Sequence, residues 1–221
     1  MEWIYDLFEF SKKYPMDFTQ MGFWVFFFIV YTGFTFVYKR LFARNLFLFL
    51  VSCFFYYKTS GLFVMLLLFS TVTDFYFGRQ IDRSENEGRR KLFVTLSVTL
   101  NLLVLSYFKY AYFFTDSYNT IFHTDHKVFN YLAYWGNGFR DKGYFSVDEI
   151  VLPVGISFYT FQTISYTVDI YRRKLKSLDS ILDFGLYVTF FPQLVAGPIV
   201  RAEEFVPQIL PPTQITQADF N

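Results

Sequence analysis

The chain has 221 residues, of which 53% are hydrophobic and 24% aromatic, with 33 Phe, and its formal net charge is +1. Its 20 basic and 19 acidic residues are nearly balanced, which gives no case for a nucleic-acid partner, since that would need a clustered basic face. A single cysteine, Cys53, rules out an intramolecular disulfide and a cysteine-based metal cluster, and neither a metal nor a bound cofactor is expected.

Residues 1–19 hold Glu2, Asp6, Glu9, Lys12, Lys13 and Asp17, a poor match to a secretory leader. Trp3, Ile4, Leu7 and Phe8 share one helical face, which predicts a short helix lying on the membrane surface. The apolar residues then arrive in blocks of about 20, the length at which a helix rising about 1.5 Å per residue crosses a hydrocarbon core of about 30 Å. The expected fold is therefore an all-α integral membrane protein: a multi-span helical bundle over 20–200 with about six transmembrane segments, embedded in the lipid bilayer of the cell membrane.

Gln20–Tyr38 carries no charge and is closed by Lys39, Arg40 and Arg44. Asn45–Tyr57 is short and draws on Leu41–Ala43 to reach across; Cys53 within it is expected to be a buried packing residue. Gly61–Phe77 is the third segment, followed by the polar run Gly78–Lys91, and Leu92–Phe114 is the fourth. Residues 115–149 are predicted to be a long external loop with a surface-hugging helix around Val128–Trp135. Val151–Tyr171 is the fifth segment and Asp183–Val200 the sixth, broken or re-entrant. Pro207, Pro211 and Pro212 mark an exit from regular structure over 201–221.

The connections one–two, three–four and five–six hold twelve Lys and Arg, against seven on the opposite side. The richer side is expected to be cytoplasmic, which puts the N-terminus and the 115–149 loop outside. Asp74, Lys109 and Asp169 fall near segment ends, where charges snorkel or pair locally, and this argues against an ion pump.

On the fifth segment Tyr159, Gln162, Thr163, Tyr166 and Asp169 share one side, with Phe161, Ile164 and Val168 opposite. Such a stripe turns away from lipid tails, either to hydrogen-bond a neighbouring helix or to line a wet cavity. In FFPQLVAGPIV (190–200), Pro192 removes a backbone donor and Gly197-Pro198 interrupts the helix again. Broken backbone at membrane depth is tolerated where protein buries it or where it lines a cavity, and Gln193 and Arg201 favour a cavity wall.

LPVGISFYTFQTISYTVDIYRRKLK (152–176) followed by FGLYVTFFPQLVAGPIVRAEEFVPQI (184–209) resembles the membrane-bound O-acyltransferase family, in its bacterial alginate O-acetyltransferase-like branch. The resemblance implies an enzyme that takes an acyl group, acetyl above all, from a cytoplasmic thioester such as acetyl-CoA. It delivers the group to hydroxyls of an extracytoplasmic polysaccharide or to an extracytoplasmic partner protein that passes it on. The tunnel candidates in this sequence are Tyr159, Gln162, Tyr166, Gln193 and Arg201. In that family the catalytic histidine falls beyond the broken segment, in a C-terminal half that is expected to be absent from these 221 residues. His123 and His126 are instead expected to be solvated loop residues, so no catalytic residue is assigned. The chain is expected to be the N-terminal portion of a longer enzyme or else a shortened relative, inactive alone. The competing expectations are a transporter, whose broken helix would bind substrate at mid-depth, and a scaffold. The scaffold would recruit an external partner through Tyr131, Tyr134, Trp135, Phe139, Tyr144 and Phe145.

Overall fold

A computed structural model describes residues 16, 18–138 and 146–210. The expected surface helix over Trp3–Phe8, and Phe139, Tyr144, Phe145, Pro211 and Pro212, lie outside the described residues. Among the described residues the regular structure is all helical, without strands. In chain order the helices are α1 (Met21–Val37), α2 (Leu41–Ser60), α3 (Val64–Arg83), α4 (Glu87–Phe122), α5 (Tyr131–Gly138), α6 (Ile156–Tyr171), α7 (Ile181–Thr189), α8 (Phe191–Ala196) and α9 (Ala202–Ile209). Two helical stretches are long and apolar enough to cross a membrane, Leu41–Arg83 and Glu87–Phe122; Met21–Val37 and Ile181–Leu194 are apolar but shorter.

Leu41–Arg83 is not one rod. Gly61 at φ 63° and ψ −136° breaks it, a conformation open to glycine because it has no Cβ. A one-turn 3₁₀ segment, Gly61–Phe63, then starts α3 in the opposite direction. Cross-contacts fix the directions of the remaining helices. Gly33 faces Phe47 and Phe23 faces Phe55, so α1 and α2 are antiparallel. Asn45 meets Asp183 and Ser52 meets Phe191, so α7 runs alongside α2 in the same sense. Gly78 lies against Tyr166 and Ile170, and Asn101 bonds Asp74, which sets α3 parallel to α6 and antiparallel to α4. The result is an up-and-down bundle. Its near end is where α2, α4 and α7 begin, and its far end is where α2 finishes and α6 begins.

Local chemistry accounts for several boundaries and corrects others. The polar run 78–91 is not a loop: α3 continues to Arg83, and Asn86 caps α4 by accepting a hydrogen bond from the Arg89 backbone N–H at 3.1 Å. Glu87 in that first turn complements the positive end of the helix dipole. At its other end α4 runs past Phe114 to Phe122, 36 residues and about 54 Å in all, so the expected 115–149 loop is shorter. His123 closes α4 in the left-handed conformation at φ 52°. The short helix expected around Val128–Trp135 forms at Tyr131–Gly138. The sixth segment breaks at Phe190 (φ −51°, ψ 107°), two residues ahead of Pro192, which then occupies the first turn of α8, where a missing N–H costs nothing. Pro207 does not mark an exit, since it lies inside α9. Cys53 is half-buried rather than buried.

The chain returns on itself after the break. Leu194 on α8 packs at Gly155, the far-end cap of α6, whereas the Ile209 carbonyl accepts hydrogen bonds from Arg44 and Asn45 at the near end. Residues 181–209 are therefore a helical hairpin whose two ends meet the same pair of α2 residues.

Candidate functional site

Two polar layers lie inside the bundle. The first joins α3, α4 and α6 around Asp74, which is fully buried and not a snorkelling end-of-helix charge as its position suggested. Its carboxylate accepts from Ser97 Oγ at 2.6 Å and from Asn101 Nδ2 at 3.0 and 2.8 Å. Thr163 donates to Asn101 Oδ1 at 3.2 Å, and Ser97 and Thr167 share a hydrogen bond of 3.1 Å. Every member is satisfied, which makes this layer a structural tie among three helices rather than an open site. Lys109 stays exposed and donates to Ser157 at 3.3 Å.

The second layer is the seam between α6 and the α7–α8 hairpin, where the polar stripe of α6 is turned inward. Gln162 Nε2 donates to the Tyr187 carbonyl at 2.8 Å, and the Tyr166 ring lies 4.5 Å from that of Phe184. Tyr166 Oη accepts from the Leu178 N–H at 2.9 Å. With Gly155 against Leu194, these pairs define one antiparallel register along the whole seam. That register sets Tyr159 and Thr160 level with residues 189–191, and Gln193 level with Ile156. In this layer Tyr159 Oη, Thr160 Oγ1, Thr189 Oγ1 and both amide atoms of Gln193 are buried with no hydrogen-bond partner among the described residues.

Leaving a polar group unpartnered in an apolar interior costs on the order of 1–3 kcal/mol, and native structures rarely carry several together. By register these four side chains fall on either side of one helix break, and their hydroxyls and amide make it a polar patch of open donors and acceptors. None of them is a general base at neutral pH, so the patch can orient a substrate but not take its proton. Of the five sequence candidates, Tyr159 and Gln193 belong to this patch, and Gln162 and Tyr166 are committed to bonds that hold the seam. Arg201 is exposed at the cap of α9, beside the Val200 carbonyl that accepts from Tyr187 Oη at 3.2 Å. Thr160 and Thr189 carry no signal of their own in the sequence, because threonine in an apolar helix usually bonds back to its own backbone, as Thr167 does here. His123 and His126 are exposed beyond α4, far from the seam.

No family model matches the chain, and no solved structure does. Curated proteins do. It is 36% identical over 166 residues to "Probable alginate O-acetylase AlgI" of Pseudomonas aeruginosa, covering 75% of this chain and 29% of that protein. The protein of the same name from Azotobacter vinelandii is 36% identical over 169 residues, covering 75% and 30% of the two chains. "Peptidoglycan O-acetyltransferase" of Helicobacter pylori is 30% identical over 188 residues, covering 74% and 32%. The chain belongs to the membrane-bound O-acyltransferase family. It spans under a third of the length of these curated relatives. The two stretches that carried the resemblance in the sequence, 152–176 and 184–209, are the two sides of the seam and the returning arm of the hairpin. The O-acyltransferase signature and the unpartnered polar patch are thus the same part of the molecule.

Proposed function

We propose that the chain forms part of an O-acyltransferase that carries an acetyl group from a cytoplasmic thioester, such as acetyl-CoA, toward hydroxyls of an extracytoplasmic polysaccharide. In this reading α1, α2, α3, α4 and α6 cross the membrane, and the α7–α9 hairpin enters from the near end and returns to it. The near end is cytoplasmic and the start of α1 is extracytoplasmic. Two things support this orientation: the helices alternate in direction, and Arg40, Arg44, Arg83, Arg89, Arg90, Arg172 and Arg173 gather at the near end.

The observation that carries the proposal is the patch of buried, unpartnered Tyr159, Thr160, Thr189 and Gln193 at the helix break. An acyl group crossing a bundle needs donors for its carbonyl oxygen where the surroundings are otherwise apolar, and broken helices are where membrane proteins supply them. The proton transfer itself is assigned to a group outside this patch.

The test is a chimaera in which this chain replaces the matching stretch of the Pseudomonas aeruginosa relative, with alginate O-acetyl content as the readout. Acetylation is expected in the chimaera, with a loss of roughly tenfold for each of Tyr159→Phe and Gln193→Ala, the scale of a lost oriented hydrogen bond. A well-inserted chimaera that acetylates nothing would sink the acyl-transfer reading. Full activity in both variants would sink the role of the patch.

A further inference from the structure

Away from the seam, a groove of about 1140 Å³ runs along the outer half of α4, between α3 and the segment 126–132. Leu103, Phe108 and Phe114 line its length, and Tyr118, His126 and Lys127 form its far rim. From Leu103 to Phe114 α4 rises about 17 Å, close to the roughly 15 Å thickness of one leaflet's hydrocarbon. The lining changes from apolar to polar over the next turn, at the level where tyrosines and cations occupy a membrane interface.

The rim is built, not incidental. Asn119 Oδ1 accepts from the His126 N–H at 2.9 Å and from Thr124 Oγ1 at 2.9 Å, and its Nδ2 donates to the His126 carbonyl at 2.9 Å. Tyr107 Oη and Asn130 Oδ1 share a bond of 2.9 Å, and Asn130 is tied on to the Glu149 carbonyl at 2.9 Å. These clamps hold Lys127 at the open end of the groove. Among the described residues ion pairs form at Glu87, with Arg90 and Arg173, and Lys127 has no carboxylate partner. Asp116 cannot supply one in the groove, because it lines a separate hollow on another face of α4 with Phe113 and Thr120.

We propose that this groove holds one phospholipid with an anionic headgroup, its acyl chain along Leu103–Phe114 and its phosphate at Lys127 and His126. The inference rests on the reading that α4 crosses the membrane. It commits to a lipid because the groove pairs one leaflet's depth of apolar wall with Lys127 at its end, a cation that makes no ion pair among the described residues although Asp125 lies two residues before it, a length and charge pattern that a packed protein helix would not need.

The experiment is native mass spectrometry of the full chain in detergent, titrated with phosphatidylglycerol or phosphatidylcholine of matched acyl chains. One tight phosphatidylglycerol adduct is expected. Lys127→Glu should weaken it about tenfold and leave phosphatidylcholine uptake unchanged, whereas Ala111→Trp, which fills the groove, should remove both. Lys127 is exposed, so that variant tests the idea even if Ala111→Trp fails to keep wild-type helicity. Unchanged phosphatidylglycerol affinity in a folded Lys127→Glu chain would overturn the proposal, as would a second copy of the chain occupying the groove in place of lipid. Release of the chain from membranes by alkaline carbonate would instead defeat the membrane reading on which the groove depends.

Discussion

Asn45 on α2 donates to the Asp183 carboxylate at 2.7 Å across 138 positions of sequence, and the same amide reaches the Ile209 carbonyl at 3.4 Å. Its Oδ1 accepts from Arg44 Nε at 3.2 Å, so one side chain ties the entry and the return of the hairpin to α2. Asn45→Ala leaves Asp183 half-buried without this donor and should cost about 1–3 kcal/mol. Asp183→Asn keeps an acceptor oxygen and should cost less. Thermal unfolding in detergent orders the two variants, and equal losses would show that the bond does not hold the hairpin.

Asp74 predicts a graded series. Asp74→Ala removes the acceptor of Ser97 Oγ and of both Asn101 contacts, a loss on the order of 3 kcal/mol, whereas Ser97→Ala removes its hydroxyl's bonds to Asp74 and Thr167 and should cost less, about 1–2 kcal/mol. The double variant should lose less than the sum, because the two side chains share one network. Additive losses in a double-mutant cycle would contradict that.

Arg90 donates to the last carbonyls of two helices, to Ile81 at 2.9 Å and to Ile170 and Tyr171 at 3.2 and 2.7 Å. A guanidinium makes this fork and an ammonium does not. Arg90→Lys should therefore destabilise by about 2 kcal/mol although it keeps the charge. A melting temperature equal to that of the parent would mean that charge alone suffices there.

Two glycines should respond differently to alanine. At Gly33 a new Cβ meets the end of the Phe47 ring at 2.7 Å, and a ring can turn aside. Gly155 sits at φ 73° with the Leu194 carbonyl oxygen 2.8 Å from the added carbon, and backbone does not yield. Gly155→Ala should cost more than about 2 kcal/mol, while Gly33→Ala should be nearly neutral, since helix propensity returns about 1 kcal/mol. Denaturant titration of both reads the difference directly.

What was legible in the sequence was local or periodic. The apolar blocks gave the helices, and the spacing of Tyr159, Gln162, Thr163 and Tyr166 gave the buried face of α6. Asp169, placed on the same stripe, is only half-buried because it falls at the helix end. Charge density was a poorer guide to boundaries. Arg79, Arg83, Arg89 and Arg90 looked like a loop, yet two helices carry them and the connection is residues 84–86, because a capping Asn restarts a helix at once. Burial of Asp74 was invisible because its donors lie 23 and 27 positions away on another helix. The return of residues 202–209 was equally hidden, since nothing in AEEFVPQI names Arg44 or Asn45 as its destination.

The parallel pairing of α2 with α7 has a consequence for biogenesis. Arg44, Asn45 and Ser52 are buried only once residues 183–209 arrive. At a synthesis rate of about 5–20 residues per second, the polar edge of α2 waits on the order of ten seconds for its partner. During that interval α2 is a helix whose arginine and asparagine lack the partners that residues 183–209 bring, so the order of synthesis leaves its polar edge incomplete until the last described helices are made.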